Sequence, residues 1–242
     1  MGWDGLDLWG ARRLERLTGG SSNDVWRLDI DGQVAVGRLG QRSDEDLAWE
    51  MDLMAHLDRN GLGVPMPIPT RDGRLFAEGL VVMAFVPGGP PQDAADWRRV
   101  GETLRRLHGL TADWPQRPGW RASTDLLSED KGTRIDLTAM PAEAVLRCRA
   151  AWARLAGQTM TVVHGNPGNP GNILMSPDRV ALIDWDEAHV DVPVLDLVLP
   201  HNGGGLEGAA RDAAEQASAA WEAAVCWKDD YAEMRLAEVR PV

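Results

Sequence analysis

Side chains that could bind a metal ion beside phosphates are concentrated in one stretch of this 242-residue chain, residues 161–199. The stretch contains a polar loop, His164–Asn172, and two strand-like runs that a Ser-Pro-Asp turn joins. The hairpin carries Asn166 and Asn172 on one side, and its second run ends at Asp184. A carboxylate and an amide oxygen form the hard-oxygen pair that Mg²⁺ binds beside phosphates. The sequence therefore predicts that Asn172 and Asp184 are metal ligands.

The order of these residues resembles that of a known enzyme family. His164-Gly165, then Asn172, then the Ile-Asp-Trp-Asp run that contains Asp184, and finally Asp196 follow the order found in aminoglycoside phosphotransferases and choline kinases, which are relatives of protein kinases. The resemblance implies an α+β, bilobal protein-kinase-like fold with a small β-rich N-terminal lobe and a mainly helical C-terminal lobe. It also implies that His164 and Asn166 occupy catalytic positions and that Asp196 braces the catalytic loop.

The catalytic loop departs from the family pattern in two ways. Asn166 stands where the family has its catalytic Asp, and the spacing from Asn166 to Asn172 is one residue longer than usual. An amide cannot take a proton from an acceptor hydroxyl, and a positioned general base is worth roughly 10²–10⁴-fold in rate. Asn166 could still orient the hydroxyl through its amide oxygen.

The resemblance implies a reaction as well as a fold. ATP or GTP would bind between the lobes with Mg²⁺, and the γ-phosphate would pass to a hydroxyl of a small acceptor, cationic acceptors included. The alternative is a catalytically inactive, pseudokinase-like module that binds nucleotide or ligand. An Asn166 introduced in place of a native Asp would give the same sequence.

The bulk composition restricts the class of partner and the cell compartment. The formal net charge is −12, which argues against nucleic acid or an anionic membrane as a general partner. Two cysteines do not form a disulfide framework, and the first ten residues lack the apolar segment of a signal peptide. We expect a cytoplasmic monomer or homodimer.

The N-terminal lobe is predicted to span residues 1–86 and to bind nucleotide, and the catalytic and acceptor-binding lobe to span residues 87–242. A Pro-Gly-Gly-Pro-Pro run begins at Pro87 and marks the boundary. The resemblance implies that the backbone at the end of the preceding strand recognises the nucleotide base and that a small-residue loop approaches the phosphates. Taken by itself, this loop is better explained as a plain hairpin turn. The positions concerned are Met83, Phe85 and Val86 at the strand end and Gly20, Ser21 and Ser22 in the loop.

Arg38 and Glu50 are predicted to form an ion pair that positions nucleotide phosphates. An Asp31-Gly32 hairpin turn is predicted to open a strand, Gln33–Leu39. Arg38 is the one basic residue of this strand, where the resemblance implies a phosphate-holding cation. Glu50 falls on the apolar face of a helix that Ser43 caps, and a carboxylate on that face needs a partner. The alternative is that Glu50 lies at the rim of a partly exposed helix.

The C-terminal half is predicted to be mainly helical, with a polar segment at 111–138 that is either a substrate-facing flap or a surface loop. Gly101 lies on the apolar face of the first of these helices, which predicts close helix packing there, and His108 is interpreted as a histidine at the edge of the core. Four acidic residues of the last helices could contact a cationic acceptor, but a solvated face is favoured. The predicted helices are Asp96–Leu110, a helix from Pro141 to Gly157, Glu207–Trp227 and Asp229–Val239, and the acidic residues are Glu207, Asp212, Glu215 and Glu222.

Overall fold

The computed structural model describes residues 2–17, 23–132 and 134–241. The strands in these residues are β1 (Ala11–Arg16), β2 (Asp24–Ile30), β3 (Gln33–Leu39), β4 (Phe76–Ala77), β5 (Leu80–Ala84), β6 (Thr161–Val163), β7 (Ile173–Met175), β8 (Val180–Leu182) and β9 (His189–Asp191). The α-helices are α1 (Asp44–Arg59), α2 (Ala94–Leu110), α3 (Ala142–Ala153), α4 (Gly208–Val225) and α5 (Asp230–Glu238). The α+β class predicted from the sequence is confirmed.

The chain divides into two compact units. The first contains Met1–Pro90 together with Ile173–Ile183, and the second contains Pro91–Asn172 together with Asp184–Val242. The β7–β8 hairpin thus belongs to the first unit, to which it is joined by bridges from Gly63 and Gly89. The assignment of nucleotide binding to residues 1–86 and of acceptor binding to residues 87–242 stays a prediction.

The first unit is built on an antiparallel sheet with the strand order β1-β2-β3-β5-β4. The turn between β2 and β3 is the predicted Asp31-Gly32 pair, and both residues have positive φ, 50° and 85°. That geometry matches the twist of the flanking strands and is the one such a dipeptide favours. β5 ends at Ala84, two residues before the predicted end at Val86, and the Ala84 amide donates to the carbonyl of Met66.

Helix α1 packs its apolar face into the first unit as the spacing predicts. The Ser43 hydroxyl accepts from the amide of Asp46 at 3.2 Å, and three acidic residues lie in the first turn, where the helix dipole favours them. The buried positions include Leu47, Met51 and Leu57. Glu50 lies on this same face and has no exposed surface, so it is a buried charge and not a rim residue.

The second unit is formed mainly by helices around an apolar core that includes Trp152, which is fully buried. Cys148 lies in this core, and burial raises the pKa of its thiol to about 11, so it is a packing residue. Gly101 allows the close approach predicted for α2, since a Cβ there would lie 2.2 Å from the carbonyl oxygen of Gly203. Two strands, β6 and β9, pair at the edge of this core.

The helix boundaries differ from the predicted ones by a few residues, and no strand was predicted for β9.

None of the helices in the described ranges combines the length and the apolar character needed to cross a bilayer.

Candidate active site

Two short strands place the polar loop beside the acidic turn. β6 leads into the loop His164–Asn172, and β9 follows the turn at residues 184–188. The two strands pair antiparallel, with Val163 opposite His189. The end of one strand and the start of the other are therefore neighbours, and this holds the two candidate catalytic segments together at the same edge of the second unit.

Direct packing also joins the loop to the turn. The ring of His164 lies 4.9 Å from that of Trp185, centroid to centroid, and both side chains are fully buried. Gly165 fits closely against Glu187, since a Cβ at Gly165 would lie 2.5 Å from the Glu187 carbonyl oxygen. Gly165 also has a φ of 92°, so two independent constraints favour glycine at this position.

Asp196 braces the loop through the main chain, as the resemblance implies. Its carboxylate accepts from the backbone amides of His164 at 2.7 Å and Gly165 at 3.1 Å. The second support of this carboxylate is His108, whose Nε2 lies 3.1 Å from Oδ2 of Asp196. His108 is therefore more than the core-edge residue that the sequence indicated.

The environment of Asp196 favours its charged form. Burial alone would raise its pKa, but the hydrogen bond from His108, the electrostatic interactions with His108 and His164 and the hydrogen bond from the His164 amide outweigh burial. The pKa of Asp196 is thus held below its usual range, and the carboxylate remains an acceptor for both loop amides.

The two asparagines of the loop are joined by one hydrogen bond. The side-chain amide of Asn172 donates to the main-chain carbonyl of Asn166 at 2.9 Å. This bond spans the longer loop, and it leaves the amide oxygen of Asn172 as the atom that could face a cation. Asn172 is buried, whereas the side chain of Asn166 is exposed and could reach a small molecule.

Asp184 has an unusual backbone conformation. Its φ and ψ are 64° and 67°, in the left-handed region that few residues other than glycine, asparagine and aspartate adopt. A 3₁₀ turn at Trp185–Glu187 follows at once. Such local strain persists where the surroundings impose it, and it is often found at functional sites.

The turn that follows Asp184 is contacted by the segment at 111–138, whose role the sequence left open. Arg117 is buried, and its Nη1 donates to the carbonyls of Trp185, Asp186 and Ala188 at 2.9, 3.2 and 2.7 Å. This part of the segment is therefore structural support for the turn and not a surface loop.

Two further side chains of the same segment hold β9. The Gln116 side chain pairs with Val190, donating to its carbonyl and accepting from its amide. Ser123 donates to Asp191 through both its amide and its hydroxyl. No periodicity in the sequence marked these residues.

The predicted metal ligands suit Mg²⁺ when phosphates complete the coordination. In the ranges that the structure describes, no three His, Cys, Asp or Glu side chains are grouped closely enough to hold a metal ion by themselves. Mg²⁺ is usually bound by one or two protein oxygens together with substrate phosphates and water. An amide oxygen from Asn172 and a carboxylate from Asp184 fit that pattern, and their assignment as ligands stays a prediction.

Glu187 adds a second carboxylate beside the loop. Burial raises the pKa of Glu187 above its usual range, and the charges of Arg134 and His189 offset that effect only in part. Nη1 of Arg134 lies 3.1 Å from Oε1 of Glu187, and about a third of each side chain is exposed. An anion and a cation thus lie side by side next to Gly165.

In the first unit, the predicted ion pair between Arg38 and Glu50 is present. Nη1 of Arg38 lies 3.6 Å from Oε1 of Glu50, and the carboxylate is completely buried. A second arginine, Arg42, contacts the other carboxylate oxygen. The sequence analysis missed Arg42, although a buried carboxylate with two basic residues before it in the chain was a signal that could have found it.

The residues at the end of β5 that are predicted to contact the nucleotide base differ in exposure. Met83 is buried and pairs with Val36 in the sheet, Val86 is half-buried, and Phe85 is exposed with the Arg27 guanidinium 5.2 Å from its ring centroid. The predicted loop residues Gly20, Ser21 and Ser22 lie outside the described residues. All these assignments stay predictions.

The acidic residues of the last helices are largely engaged by arginines. Asp212 contacts Arg154 and Arg240, and Glu215 contacts Arg211. Glu222 contacts Arg235 and the hydroxyl of Tyr231. These contacts agree with the favoured interpretation of a solvated face.

Comparison with known proteins decides the family. A model of the phosphotransferase enzyme family matches residues 13–237. The chain belongs to this family. It is also 29% identical over 211 residues to a homoserine kinase of Beijerinckia indica, an alignment that covers 80% of this chain and 64% of that protein. The chain thus spans less than two thirds of the length of this curated relative.

Solved structures of other kinases share the fold. The choline kinase LicA from Streptococcus pneumoniae superimposes with a TM-score of 0.66 at 16% identity, over 96% of this chain and 93% of that one. The aminoglycoside phosphotransferase APH(4)-Ia, in a ternary complex with AMP-PNP and hygromycin B, gives 0.65 at 17% identity, over 97% and 94%. At such identities the likeness concerns the fold alone, and it confirms the protein-kinase-like fold expected from the sequence.

Proposed function

We propose that this chain binds a nucleoside triphosphate with Mg²⁺ and transfers the γ-phosphate to a hydroxyl of a small molecule. The observation that carries the proposal is the loop-and-turn arrangement of the second unit, in which Asp196 holds the loop and Arg117 holds the turn that begins at Asp184. Family membership supports it, since the nucleotide analogue AMP-PNP is bound in a solved relative. ATP and GTP are both candidates for the nucleotide.

In this proposal, different residues contact the metal ion, the phosphates and the acceptor. Asn172 and Asp184 hold Mg²⁺, which would neutralise charge on the phosphates. Arg38, fixed by the buried Glu50, contacts phosphate oxygens as the resemblance implies. The exposed Asn166 accepts a hydrogen bond from the acceptor hydroxyl and orients it, and His164 supports the loop from its buried position against Trp185.

The acceptor that we propose is a hydroxyl-bearing amino acid of the homoserine type. The curated relative named above supports this choice, and so do the adjacent opposite charges of Arg134 and Glu187 beside the loop. An amino acid carries an ammonium and a carboxylate, and it could exchange with this partly exposed pair. The ammonium would contact Glu187 and the carboxylate would contact Arg134.

A second candidate function is a nucleotide-binding module without turnover, and the observation that favours it is Asn166. Phosphoryl transfer depends mainly on positioning and electrostatics, so a missing base slows the reaction without forbidding it. A module that only binds nucleotide and a slow phosphotransferase are therefore distinguished by measuring the phosphorylated acceptor.

The test combines binding with product formation. Thermal melts with ATP or GTP, with and without Mg²⁺, should show metal-dependent stabilisation of the parent chain that Asp184→Ala abolishes. The matched control is Asp178→Ala, an exposed aspartate in the turn before β8, which should leave the shift unchanged. An unchanged Mg²⁺-dependent shift in Asp184→Ala would remove the metal assignment.

Mass spectrometry of reactions with homoserine, choline and aminoglycosides measures transfer. Phosphorylated homoserine is the expected product, at a slow rate. Stabilisation by nucleotide without any phosphorylated acceptor would favour the binding module.

A further inference from the structure

The turn that begins at Asp184 depends on a side chain from a distant part of the sequence. The 3₁₀ turn closes with a hydrogen bond from the Ala188 amide to the Trp185 carbonyl. This bond begins after Asp184 and does not by itself fix the backbone of Asp184 in the left-handed region. The carbonyls of Trp185, Asp186 and Ala188 all accept from Nη1 of Arg117.

Arg117 is well placed to impose this conformation. Its side chain is 1% exposed, and its guanidinium carbon lies 5.2 Å from the ring centroid of Trp120. The side chain of the preceding residue, Gln116, hydrogen-bonds both the carbonyl and the amide of Val190, two residues after Ala188. The Gln116-Arg117 dipeptide therefore holds both ends of the segment from 185 to 190.

We propose that Arg117 is a positioning residue that keeps Asp184 in its metal-binding conformation. A guanidinium is planar, presents several donors in a fixed geometry and stays protonated, so it can hold converging carbonyls at any working pH. Groups that orient a metal ligand from outside the coordination sphere typically change metal affinity by 10–100-fold when they are lost. The metal part of this inference rests on the proposed function, whereas the support of the turn does not.

Arg117→Met tests the inference because it removes the donors and keeps an unbranched apolar stem. The matched control is Arg147→Met, since half-buried Arg147 in the same unit also donates to main-chain carbonyls, those of Leu236 and Val239, away from the turn. Arg117→Lys retains a charge with fewer donors and serves if the methionine variant does not fold. Thermal melts establish which variants are folded.

Two measurements on the folded variants decide the outcome. Hydrogen exchange without metal should show lost protection in a peptide covering residues 184–190 for Arg117→Met, and unchanged protection there for Arg147→Met. Titration with Mn²⁺ in the presence of a non-hydrolysable ATP analogue should give an affinity 10–100-fold weaker for Arg117→Met than for the parent. The lysine variant should fall between the two.

The contrary results are distinct from one another. Unchanged protection of residues 184–190, or a Mn²⁺ affinity reduced no more than in Arg147→Met, would overturn the role of Arg117. A parent chain that binds no Mn²⁺ with nucleotide would overturn the proposed function and the metal part of this inference. Hydrogen exchange would still show whether Arg117 supports the turn.

Discussion

The two units hold their candidate functional residues by different means. In the first unit, charged side chains hold one another, with Arg38 and Arg42 on the two oxygens of the buried Glu50. In the second unit, charged side chains hold the main chain. Asp196 accepts from two loop amides, and Arg117 donates to three carbonyls of the turn.

This difference has a physical consequence for function. A group of mutually paired side chains can rearrange when a phosphate arrives, because an arginine can exchange one anion for another. A side chain that satisfies main-chain groups fixes backbone geometry, and any movement would leave buried donors or acceptors unpaired. We infer that mutually paired side chains suit the reversible binding of a phosphate-bearing ligand. Side chains that fix the backbone suit a metal site whose ligands must keep a defined geometry.

The largest effect on folding free energy is expected at Asp196. Asp196→Ala removes the acceptor of the His164 and Gly165 amides and the partner of the buried His108, and each buried donor left unsatisfied costs about 1–3 kcal/mol. Urea denaturation measures the change. The control is Asp212→Ala, whose exposed contacts with Arg154 and Arg240 should matter far less.

The dependence of the free energy of unfolding on pH in the acid range tests Asp196 without removing its side chain. Because its pKa in the folded state is lowered, Asp196 stabilises the fold above about pH 4, the usual pKa of an aspartate, and this contribution is lost as the pH falls through the lowered value. Asp196→Asn should therefore unfold with a shallower dependence on pH below 4. An equal dependence in both proteins would show that Asp196 does not carry a lowered pKa.

The next largest effect is expected at Glu50. Glu50→Gln keeps the shape but removes the charge that two arginines contact, and a hydrogen bond to a charged group contributes about 1.5–3 kcal/mol. Arg42→Met in the same background should then cost less than in the parent, since residues in one network are not additive. A double-mutant cycle by denaturation measures the coupling, and strictly additive losses would mean that Arg42 and Glu50 do not interact in solution.

The smallest effect on stability is expected at Asp184, where backbone strain and metal binding can be separated. Asp184→Gly should be more stable than Asp184→Ala by about 1–2 kcal/mol, because glycine adopts positive φ without the Cβ clash. Both variants should lose Mg²⁺-dependent nucleotide binding equally. Equal stability of the two would show that Asp184 is not in the left-handed region in solution.

The sequence predicted well those features that depend on local chemistry. The Ser43 cap, the Asp31-Gly32 turn and the close packing at Gly101 all follow from the residue itself and its near neighbours, and the structure has each of them. The Arg38–Glu50 pair was also predictable, because a carboxylate on the apolar face of a helix requires a partner.

The features that the sequence did not predict depend on contacts between distant parts of the chain. Arg117 lies 68 positions or more from the carbonyls it holds, and His108 lies 88 positions from Asp196. The sequence pattern around Arg117 or His108 does not indicate that either side chain hydrogen-bonds a distant segment. The three-residue strand β9 was missed for a similar reason, since its pairing partner β6 is far away in the chain and three residues carry no alternation pattern.

The central claim, that this chain is a phosphotransferase slowed by its missing base, is tested most directly by Asn166→Asp. Asp and Asn are nearly isosteric, and the contact from Asn172 is to the main-chain carbonyl of residue 166, so the loop should keep its structure. Mass spectrometry should show transfer to a bound hydroxyl-bearing acceptor rising by roughly 10²–10⁴-fold, with nucleotide affinity changed much less. No gain with an acceptor shown to bind would contradict the claim and favour a nucleotide-binding module.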